Sequence, residues 1–133
     1  MGEAHYAPVT DCVFCNIIAG IAPGAMPVRW PDAVVLVPLN PVTDGHVLVL
    51  PRQHVRDAVE NQWIGAAVMR RAVEYVQEYI GSGAVNLIAN VGPEASQTVF
   101  HYHLHVVPRR AGDGLALPWT PSAVREEQER HGN

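Results

Sequence analysis

The sequence predicts an α+β fold in which an antiparallel sheet of about five strands packs against one long helix and a short N-terminal helix. Two observations favour it. Apolar, β-branched runs of strand length are separated by short turn sequences, and one longer segment places apolar residues at helical spacing. The 133 residues suit a single domain, 1–133, with its core at 11–108 and an irregular C-terminal tail at 109–133.

The first predicted elements are a short helix and two neighbouring strands. Residues 11–19, D-C-V-F-C-N-I-I-A, predict a helix with Asp11 as its N-cap and Gly20 just past its end. Residues 33–37 and 46–50 are largely apolar, β-branched runs, and a proline stops each of them. Because N-P-V-T-D-G between them supplies turn residues, we expect the two runs to pair as antiparallel strands.

Residues 62–80 predict the long helix. One stripe of it is polar and the remaining surface is apolar, so the helix is expected to be well buried, and Gly81 follows its end. Strands are then predicted at 85–90 and 101–107, with the loop V-G-P-E-A-S-Q-T between them. The polar stripe of the helix consists of Arg70, Arg71, Glu74, Gln77 and Glu78.

Composition and charge argue against several functional classes. Apolar residues make up 48% of the chain and charged residues 17%, which is typical of a globular protein. The net charge of −4 argues against binding of nucleic acid through its phosphates. No apolar run is long enough to cross a bilayer, and the N terminus lacks the basic and apolar regions of a signal peptide. We therefore expect a cytoplasmic protein with reduced thiols and no membrane partner.

Three histidines alternate with other residues in F-H-Y-H-L-H-V-V-P, residues 100–108. In a strand, His101, His103 and His105 would project from the same face. Three interpretations are open: a half-exposed strand, a metal site shared by the histidines, or catalysis by a neutral imidazole nucleophile. A neutral imidazole needs no deprotonation near neutral pH, which suits attack on a phosphate ester.

The run H-Y-H-L-H-V-V resembles the His-φ-His-φ-His-φ-φ signature, with φ apolar, of the histidine triad superfamily of nucleotide hydrolases and transferases. Three further blocks resemble those of the family, in its order and at its spacing. Together with the triad they span residues 12–108, and they match the zinc-containing, Hint-like bacterial-type branch. The blocks are C-V-F-C-N-I-I-A-G, G-H-V-L-V-L-P-R-Q-H and N-V-G-P-E-A-S-Q-T-V-F-H.

The resemblance implies a role for each matched polar residue. His103 would attack the α-phosphorus of a nucleotide and form a covalent nucleotidyl-histidine, which water then hydrolyses. His105 would contact the phosphate and help to stabilise the developing charge. Gln97 and Thr98 would touch the phosphate or the bridging atom, and Asn90 would line the same pocket. The alternative for these three is that they are ordinary polar residues of a loop.

The resemblance also implies a partner for the triad and raises a question about the ribose. His46 would orient the triad, although a core histidine bonded to a backbone group accounts for it equally well. Many family members carry an aspartate or asparagine eight positions before this histidine, where it grips the ribose hydroxyls. Here that position is Pro38, and Asn40 is the nearest polar group. The identity of the substrate therefore stays open.

Apolar residues match the nucleoside pocket of the family. Phe14 and Ile17 would line the base pocket, or they are plain core residues. Trp119, in L-P-W-T-P, lies where family tails approach the active site, sometimes that of the partner subunit. A tail tryptophan could equally attach the tail to its own domain.

The two cysteines form a C-x-x-C motif. Cys12 and Cys15 can hold one metal ion from a single helical turn. A redox pair is the alternative, although the strand that precedes such a motif in thioredoxin-like units is missing. The resemblance implies that His54 and His101 complete a structural zinc site.

The leading hypothesis is an enzyme that cleaves at the α-phosphate of a phosphoramidate, an adenylate or a dinucleoside polyphosphate, by hydrolysis or phosphorolysis. A non-catalytic, zinc-stapled nucleotide-binding module and a catalytic metal ion held by the triad are the alternatives. The resemblance further implies a homodimer formed through the long helix and a sheet edge.

Overall fold

The computed structural model describes residues 8–120 and confirms the α+β fold. Its single sheet has five antiparallel strands in the order β1-β2-β3-β5-β4, with two helices packed on it. Residues 121–133 of the predicted tail lie outside the described part, and residues 110–120 contain no helix or strand. The elements are α1 Val13–Ile18, β1 Val28–Arg29, β2 Ala33–Leu36, β3 Val47–Pro51, α2 Gln62–Tyr75 with a π-helical turn at Val76–Ile80, β4 Ala84–Ala89, a 3₁₀ turn at Pro93–Ala95, and β5 Leu104–Arg109.

Strands β2 and β3 pair as the sequence predicts. Val34 lies opposite Leu50 and Leu36 opposite Leu48, so the turn-rich segment between the strands does bring them together antiparallel. β3 is the central strand, and its other neighbour is β5. His46 lies one residue before β3, at the end of the loop.

The sheet separates two apolar clusters, and the alternation of β3 and β5 decides which residues enter each. Leu104 and Val106 enter the cluster under α2, so His105 between them lies on the opposite face, next to Leu48. His46 alternates with Leu48 and reaches the same face. The cluster under α2 contains Val35, Val47, Val49, Val55, Val68, Ala72, Tyr102, Leu104 and Val106, and that beside α1 contains Cys12, Phe14, Cys15, Ile17, Val34, Leu36, Leu48 and Leu50.

The histidine strand begins later than predicted. β5 starts at Leu104, so His101 and His103 precede the sheet rather than belonging to it. The backbone N–H of Tyr102 donates to the carbonyl of Val55 at 2.8 Å, which is a loop contact outside the strand ladders. Strand alternation consequently does not set the direction of the His101 side chain.

Helix α1 begins differently from the prediction. Its N-cap is Cys12 rather than Asp11, because the Cys12 sulfur accepts the backbone N–H of Cys15 at 3.3 Å. Gly20, with φ +78°, follows the helix as expected. The cap turns both cysteine side chains into the protein, where they are buried.

Helix α2 is less buried than its apolar composition predicts. Only Val68 and Ala72 are buried among the residues of this helix, whereas Trp63, Met69 and Val73 are exposed. The prediction of a well-buried helix is therefore wrong for a single chain, since one side of α2 packs on the sheet and much of the rest faces solvent. Neither helix within residues 8–120 has the length and apolar composition needed to span a bilayer.

Ser96 is the residue other than glycine that adopts a positive φ, +71°, in the described part of the chain. A side chain in this left-handed conformation costs about 1–2 kcal/mol, which glycine avoids. We expect Ser96→Gly to raise the free energy of unfolding by about 1 kcal/mol, as measured by urea denaturation. Ala95→Gly, one residue earlier in the 3₁₀ turn, is the matched control and should lower it. Equal effects of the two changes would contradict the strain at Ser96.

Candidate active site and metal centre

Four metal-binding side chains meet at the start of α1. Cys12 and Cys15 come from the helix and its cap, His54 follows β3, and His101 precedes β5. Their ligand atoms all lie within 4.8 Å of one another. The structure thus brings together the four residues that the resemblance implies as a zinc site.

The spacing of these atoms matches a tetrahedral zinc site. With Zn–N near 2.0 Å and Zn–S near 2.3 Å, a tetrahedron places two nitrogens about 3.3 Å apart and a nitrogen and a sulfur about 3.5 Å apart. The Nδ1 atoms of His54 and His101 are 3.2 Å apart. The His101 Nδ1 lies 3.5 Å from the sulfurs of both cysteines, and Cys15 Sγ lies 3.5 Å from His54 Nδ1.

The orientation of His101 explains why a cation is needed there. Its Nε2–H donates to the carbonyl of Pro51 at 2.8 Å, so the lone pair of the neutral ring is on Nδ1. Burial lowers the pKa of His101 to about 4, which keeps the ring neutral. The Nδ1 lone pair of His101 then faces both cysteine sulfurs and the Nδ1 of His54. A single zinc ion would accept a lone pair from each of these four side chains. The four residues therefore fit zinc.

His103 presents a lone pair to the candidate active site. Its Nδ1 lies 2.8 Å from the carbonyl of His101, and because a carbonyl only accepts, Nδ1 carries the proton. The Nε2 of the neutral ring is left as a lone pair. Burial lowers the pKa of His103, and the ring of Phe14 packs edge-on against it at 5.1 Å between centroids. The arrangement has the features of a fixed, neutral nucleophile.

His105 has the opposite arrangement, with its proton on Nε2. A relay of two hydrogen bonds, from the N–H of Val42 to His46 and from His46 to His105, sets this tautomer. The backbone N–H of Val42 donates to His46 Nδ1 at 3.0 Å, so the proton of the neutral His46 ring is on Nε2. That Nε2 lies 3.0 Å from His105 Nδ1, which must accept, and the His105 proton is therefore on Nε2. The ring centroids of His103 and His105 are 5.2 Å apart, so a ring with an Nε2 lone pair neighbours a ring with an Nε2–H donor.

Gln97 is placed differently from the role that the resemblance implies. It is buried, and its amide nitrogen donates to the carbonyls of Arg56 at 2.8 Å and Val99 at 3.1 Å. Its amide oxygen accepts the N–H of Gly92 at 2.8 Å. Both amide N–H groups are thus used on the backbone, and a contact with a phosphate would require one of these bonds to break.

The other implied substrate residues fall into two groups. Phe14 and Ile17 are buried in the cluster beside α1, which is where the core interpretation placed them. Thr98 is exposed and lines a cavity of about 390 Å³ that also reaches Cys12 and His54. Asn40 and Trp119 are exposed, the tryptophan to 78%, while Asn90 is half-buried just past β4. Their contacts with a substrate stay predictions.

Sequence reasoning missed the backbone groups that set the site. The carbonyls of Pro51 and His101 and the N–H of Val42 fix three of the four ring orientations described above. Every residue carries such groups, so no residue type marks them. The one available signal was the loop sequence before His46, which is rich in turn residues.

The fall of the free energy of unfolding at acidic pH should depend on His105, the last ring of the relay from Val42 through His46. Burial, with smaller contributions from His103 and His46, lowers the pKa of His105 to about 4 from 6.5. Below pH 6.5 the unfolded chain takes up a proton that the folded chain refuses, so the free energy of unfolding should fall as the pH drops from 6.5 towards 4.

Urea midpoints across this range test the expectation in the wild type and in His105→Asn. The zinc ligands are the same in both proteins, so the difference isolates His105, and the variant should lose less stability per pH unit. Parallel curves for the two proteins would contradict the lowered pKa.

Comparison with known proteins places these features in a family. The HIT domain matches residues 23–112. The chain is 36% identical over 121 residues to Protein hit of Bacillus subtilis, covering 85% of this chain and 81% of that protein. It is 33% identical over 119 residues to adenylylsulfatase HINT3 of Arabidopsis thaliana, covering 86% of this chain but 59% of that protein.

One similar solved structure contains zinc. A Zn-bound histidine triad family protein from Mycobacterium smegmatis is 37% identical, with a TM-score of 0.69, covering 91% of this chain and 89% of that one. The fold agrees with this relative, and the Cys-Cys-His-His cluster of this chain fits the metal that the relative's description names. The chain therefore belongs to the HIT domain family.

Proposed function

We propose that this protein is an enzyme that cleaves nucleotide substrates at the α-phosphate through a covalent nucleotidyl-histidine on His103. One observation carries the proposal. The Nδ1–H of His103 donates to a backbone carbonyl, which leaves an Nε2 lone pair beside the Nε2–H of His105. A neutral nucleophile next to a neutral hydrogen-bond donor, both fixed by hydrogen bonds, suits phosphoryl chemistry.

The first step uses both rings. The Nε2 lone pair of His103 forms a bond to the α-phosphorus while the bond to the leaving group breaks. The electron pair leaves with that group, which departs as an anion or takes a proton from water, while the Nε2–H of His105 stays on its ring and donates a hydrogen bond to the developing negative charge. The positive charge that develops on His103 is stabilised because its Nδ1–H already donates to the carbonyl of His101.

The second step returns the enzyme to its starting state. The oxygen of a water molecule attacks the phosphorus of the nucleotidyl-histidine, and the proton that this water loses passes to bulk solvent, while the Nε2–H of His105 again donates to the phosphate oxygens. The P–N bond breaks, and its electron pair restores the lone pair on Nε2 of His103. The relay from Val42 through His46 keeps the proton of His105 on Nε2, where both steps need it. Thr98 and Asn90 remain the candidate substrate contacts.

Zinc belongs to the structure rather than to these steps. The four protein ligands would complete the tetrahedral set of a structural zinc site and would leave no open position for water or substrate. When bound, the metal would stabilise the junction of α1 with the segments around His54 and His101. The interpretation of the triad as a catalytic metal site is not favoured, since only His101 of the three histidines faces the cluster.

The substrate class follows from the leaving group. Similarity to a protein named adenylylsulfatase supports an adenylyl group joined to a group that departs readily. Phosphoramidates and dinucleoside polyphosphates share the same α-phosphate. The side chain of Pro38 offers no hydrogen bond to ribose hydroxyls, so tight recognition of ribose is not part of the proposal.

Trapping the intermediate tests the proposal. Purified protein is mixed with adenosine phosphoramidate or a dinucleoside polyphosphate, quenched with denaturant within the first turnovers, and digested for mass spectrometry. We expect an acid-labile adenylyl group on the peptide that contains His103. Turnover with the label on another residue, or with none under any quench time, would contradict the assignment.

A zinc-stapled module that binds nucleotide without turnover is the second candidate. It predicts saturable nucleotide binding by calorimetry with no product from any of the three substrate classes. The fixed lone pair of His103 speaks against it, because binding alone gives no reason to orient an imidazole in this way.

We further propose that the protein is a homodimer that works in a reducing compartment such as the cytoplasm. The face of α2 that carries Met69 and Val73 is exposed, and β4 is an edge strand with a free side. Reduced thiols are what a Cys₂His₂ site requires. Light scattering should give twice the chain mass for the wild type and less for Val73→Glu; a monomeric wild type would contradict the dimer.

A further inference from the structure

We propose that His101 is a positioning residue that couples the metal centre to the nucleophile. Its side chain would bind the metal, while its backbone carbonyl holds the proton of His103 on Nδ1. The inference rests on the proposed function of His103 and adds a regulation to it: the ring tautomer of His103, and hence its activity, depends on whether the metal is bound.

The first support is where the sheet ends. Strand pairing of β5 begins at Leu104, so the segment 101–103 is not held by the β ladder. Two hydrogen bonds hold it to the end of β3 and to the segment that follows. His101 Nε2–H donates to the carbonyl of Pro51, and the N–H of Tyr102 donates to the carbonyl of Val55, each at 2.8 Å.

The second support is the crowding around His101 Nδ1. This atom lies 3.5 Å from both cysteine sulfurs and 3.2 Å from His54 Nδ1, and the His101 side chain is fully buried. Because its Nε2–H is already used, a metal-free ring can offer one lone pair to three neighbours. We expect these crowded groups to move apart when no cation draws them together, and His101 is the member of the cluster whose backbone also touches the nucleophile.

The tautomer of His103 depends on one hydrogen bond. His103 Nδ1–H and the His101 carbonyl are 2.8 Å apart, and a shift of the 101–102 backbone lengthens this contact. Without that acceptor the ring of His103 can place its proton on Nε2, which removes the lone pair that attacks phosphorus. The reaction would slow although no metal touches the substrate.

The relay at His46 supplies an internal comparison. Its anchor is the N–H of Val42, in the loop before β3, and neither His46 nor His105 contacts the four cluster residues in the hydrogen-bonded chain described above. Loss of the metal should therefore change the tautomer of His103 and leave that of His46 unchanged.

Two-bond ¹H–¹⁵N correlation spectra of the full chain test this directly, with and without a chelator, metal content being measured on the same samples. We expect His103 to carry its proton on Nδ1 alone in the zinc-loaded protein and to populate both tautomers after zinc removal. Steady-state kinetics should show kcat lowered by about tenfold or more, with a much smaller change in KM.

Each outcome decides the proposal. A change at His103 without one at His46 supports it. An unchanged His103 in metal-free protein overturns it, and so does a simultaneous change at both, since the metal would then support the whole site rather than act through His101. If the metal-free chain unfolds, His54→Cys, which keeps four ligands, is compared with His54→Ala at the same zinc concentration. Only the alanine variant should shift the His103 tautomer, and equal spectra would overturn the proposal.

The spectra need no turnover, so the two proposals fail separately. If no adenylyl-histidine can be trapped but the tautomer follows the metal, the proposed function fails and the coupling stands. If the intermediate forms on His103 equally fast in zinc-free and zinc-loaded protein, the function stands and the coupling fails.

Discussion

His103→Ala is expected to lower kcat/KM by about 10⁴-fold or more on any substrate that the wild type turns over. The change removes the Nε2 lone pair, and no other neutral imidazole in the site can replace it. His105 is the nearest ring, but its Nδ1 is occupied by His46 and its Nε2 carries the proton. A loss of this size corresponds to about 5.5 kcal/mol of transition-state stabilisation.

The alanine variant should remain folded, which makes the kinetic loss interpretable. His103 lies outside the zinc cluster, and only its Nδ1–H is bonded, to a carbonyl that water could satisfy. Far-UV circular dichroism and zinc content should match the wild type. Arg70→Ala, at an exposed position of α2 away from the histidines, controls for purification and should keep full activity.

A chemical rescue sharpens the assignment. His103→Gly leaves space for a free imidazole, which should restore part of the turnover by attacking the phosphorus in place of the missing ring. The product would be a nucleotidyl-imidazole in solution, detectable by mass spectrometry. If His103→Ala keeps activity within tenfold of the wild type, the nucleophile is another group.

The features of this protein that could be predicted from the sequence are those that depend on residues close together in the chain. The pairing of β2 with β3 follows from two β-branched runs and a turn, and a C-x-x-C motif on one helical turn indicates half of a metal site. The relay between His46 and His105 also has a sequence basis, since alternation from Leu48 places both rings on one face of the sheet.

The remaining features depend on contacts between distant segments. β5 begins at Leu104 because Tyr102 bonds the loop at Val55, and nothing in H-Y-H-L-H distinguishes these residues from strand residues. Cys12 caps α1 although aspartate is the stronger capping residue, because its sulfur is held at the metal cluster. The apolar residues of α2 predict burial but do not say whether the chain itself or a second copy covers them.

The resemblance assigned roles without saying how each side chain is used. Gln97 was implied to contact phosphate, but its amide oxygen accepts the N–H of Gly92 and its amide N–H groups donate to the carbonyls of Val99 and Arg56. Such a residue can matter for catalysis through the position of Thr98 next to it. The direction of an amide depends on which backbone groups lie near it, and a motif does not record them.

Removal of the metal is expected to have the largest effect on stability. Cys15 is 4% exposed and contributes one of the four ligands, so Cys15→Ser should abolish stoichiometric zinc binding. Because metal binding is linked to folding, the free energy of unfolding should fall by about 3 kcal/mol or more, equivalent to a drop in Tm of about 10 °C for a chain of this size.

Two comparisons distinguish the stability lost with the metal from any stability lost because a serine packs poorly in place of Cys15. A chelator should lower the Tm of the wild type towards that of Cys15→Ser and should leave the variant unchanged, because the variant has no metal to lose. His54→Cys keeps four ligands with an acceptable donor set and should retain both zinc and most of the Tm. Zinc near zero in gently purified wild type, or a Tm that ignores the chelator, would contradict the site. The four ligands join α1, the segment after β3 and the segment before β5. Thermal unfolding of the metal-free protein should therefore begin at this junction and expose Cys12 to thiol reagents before the sheet melts.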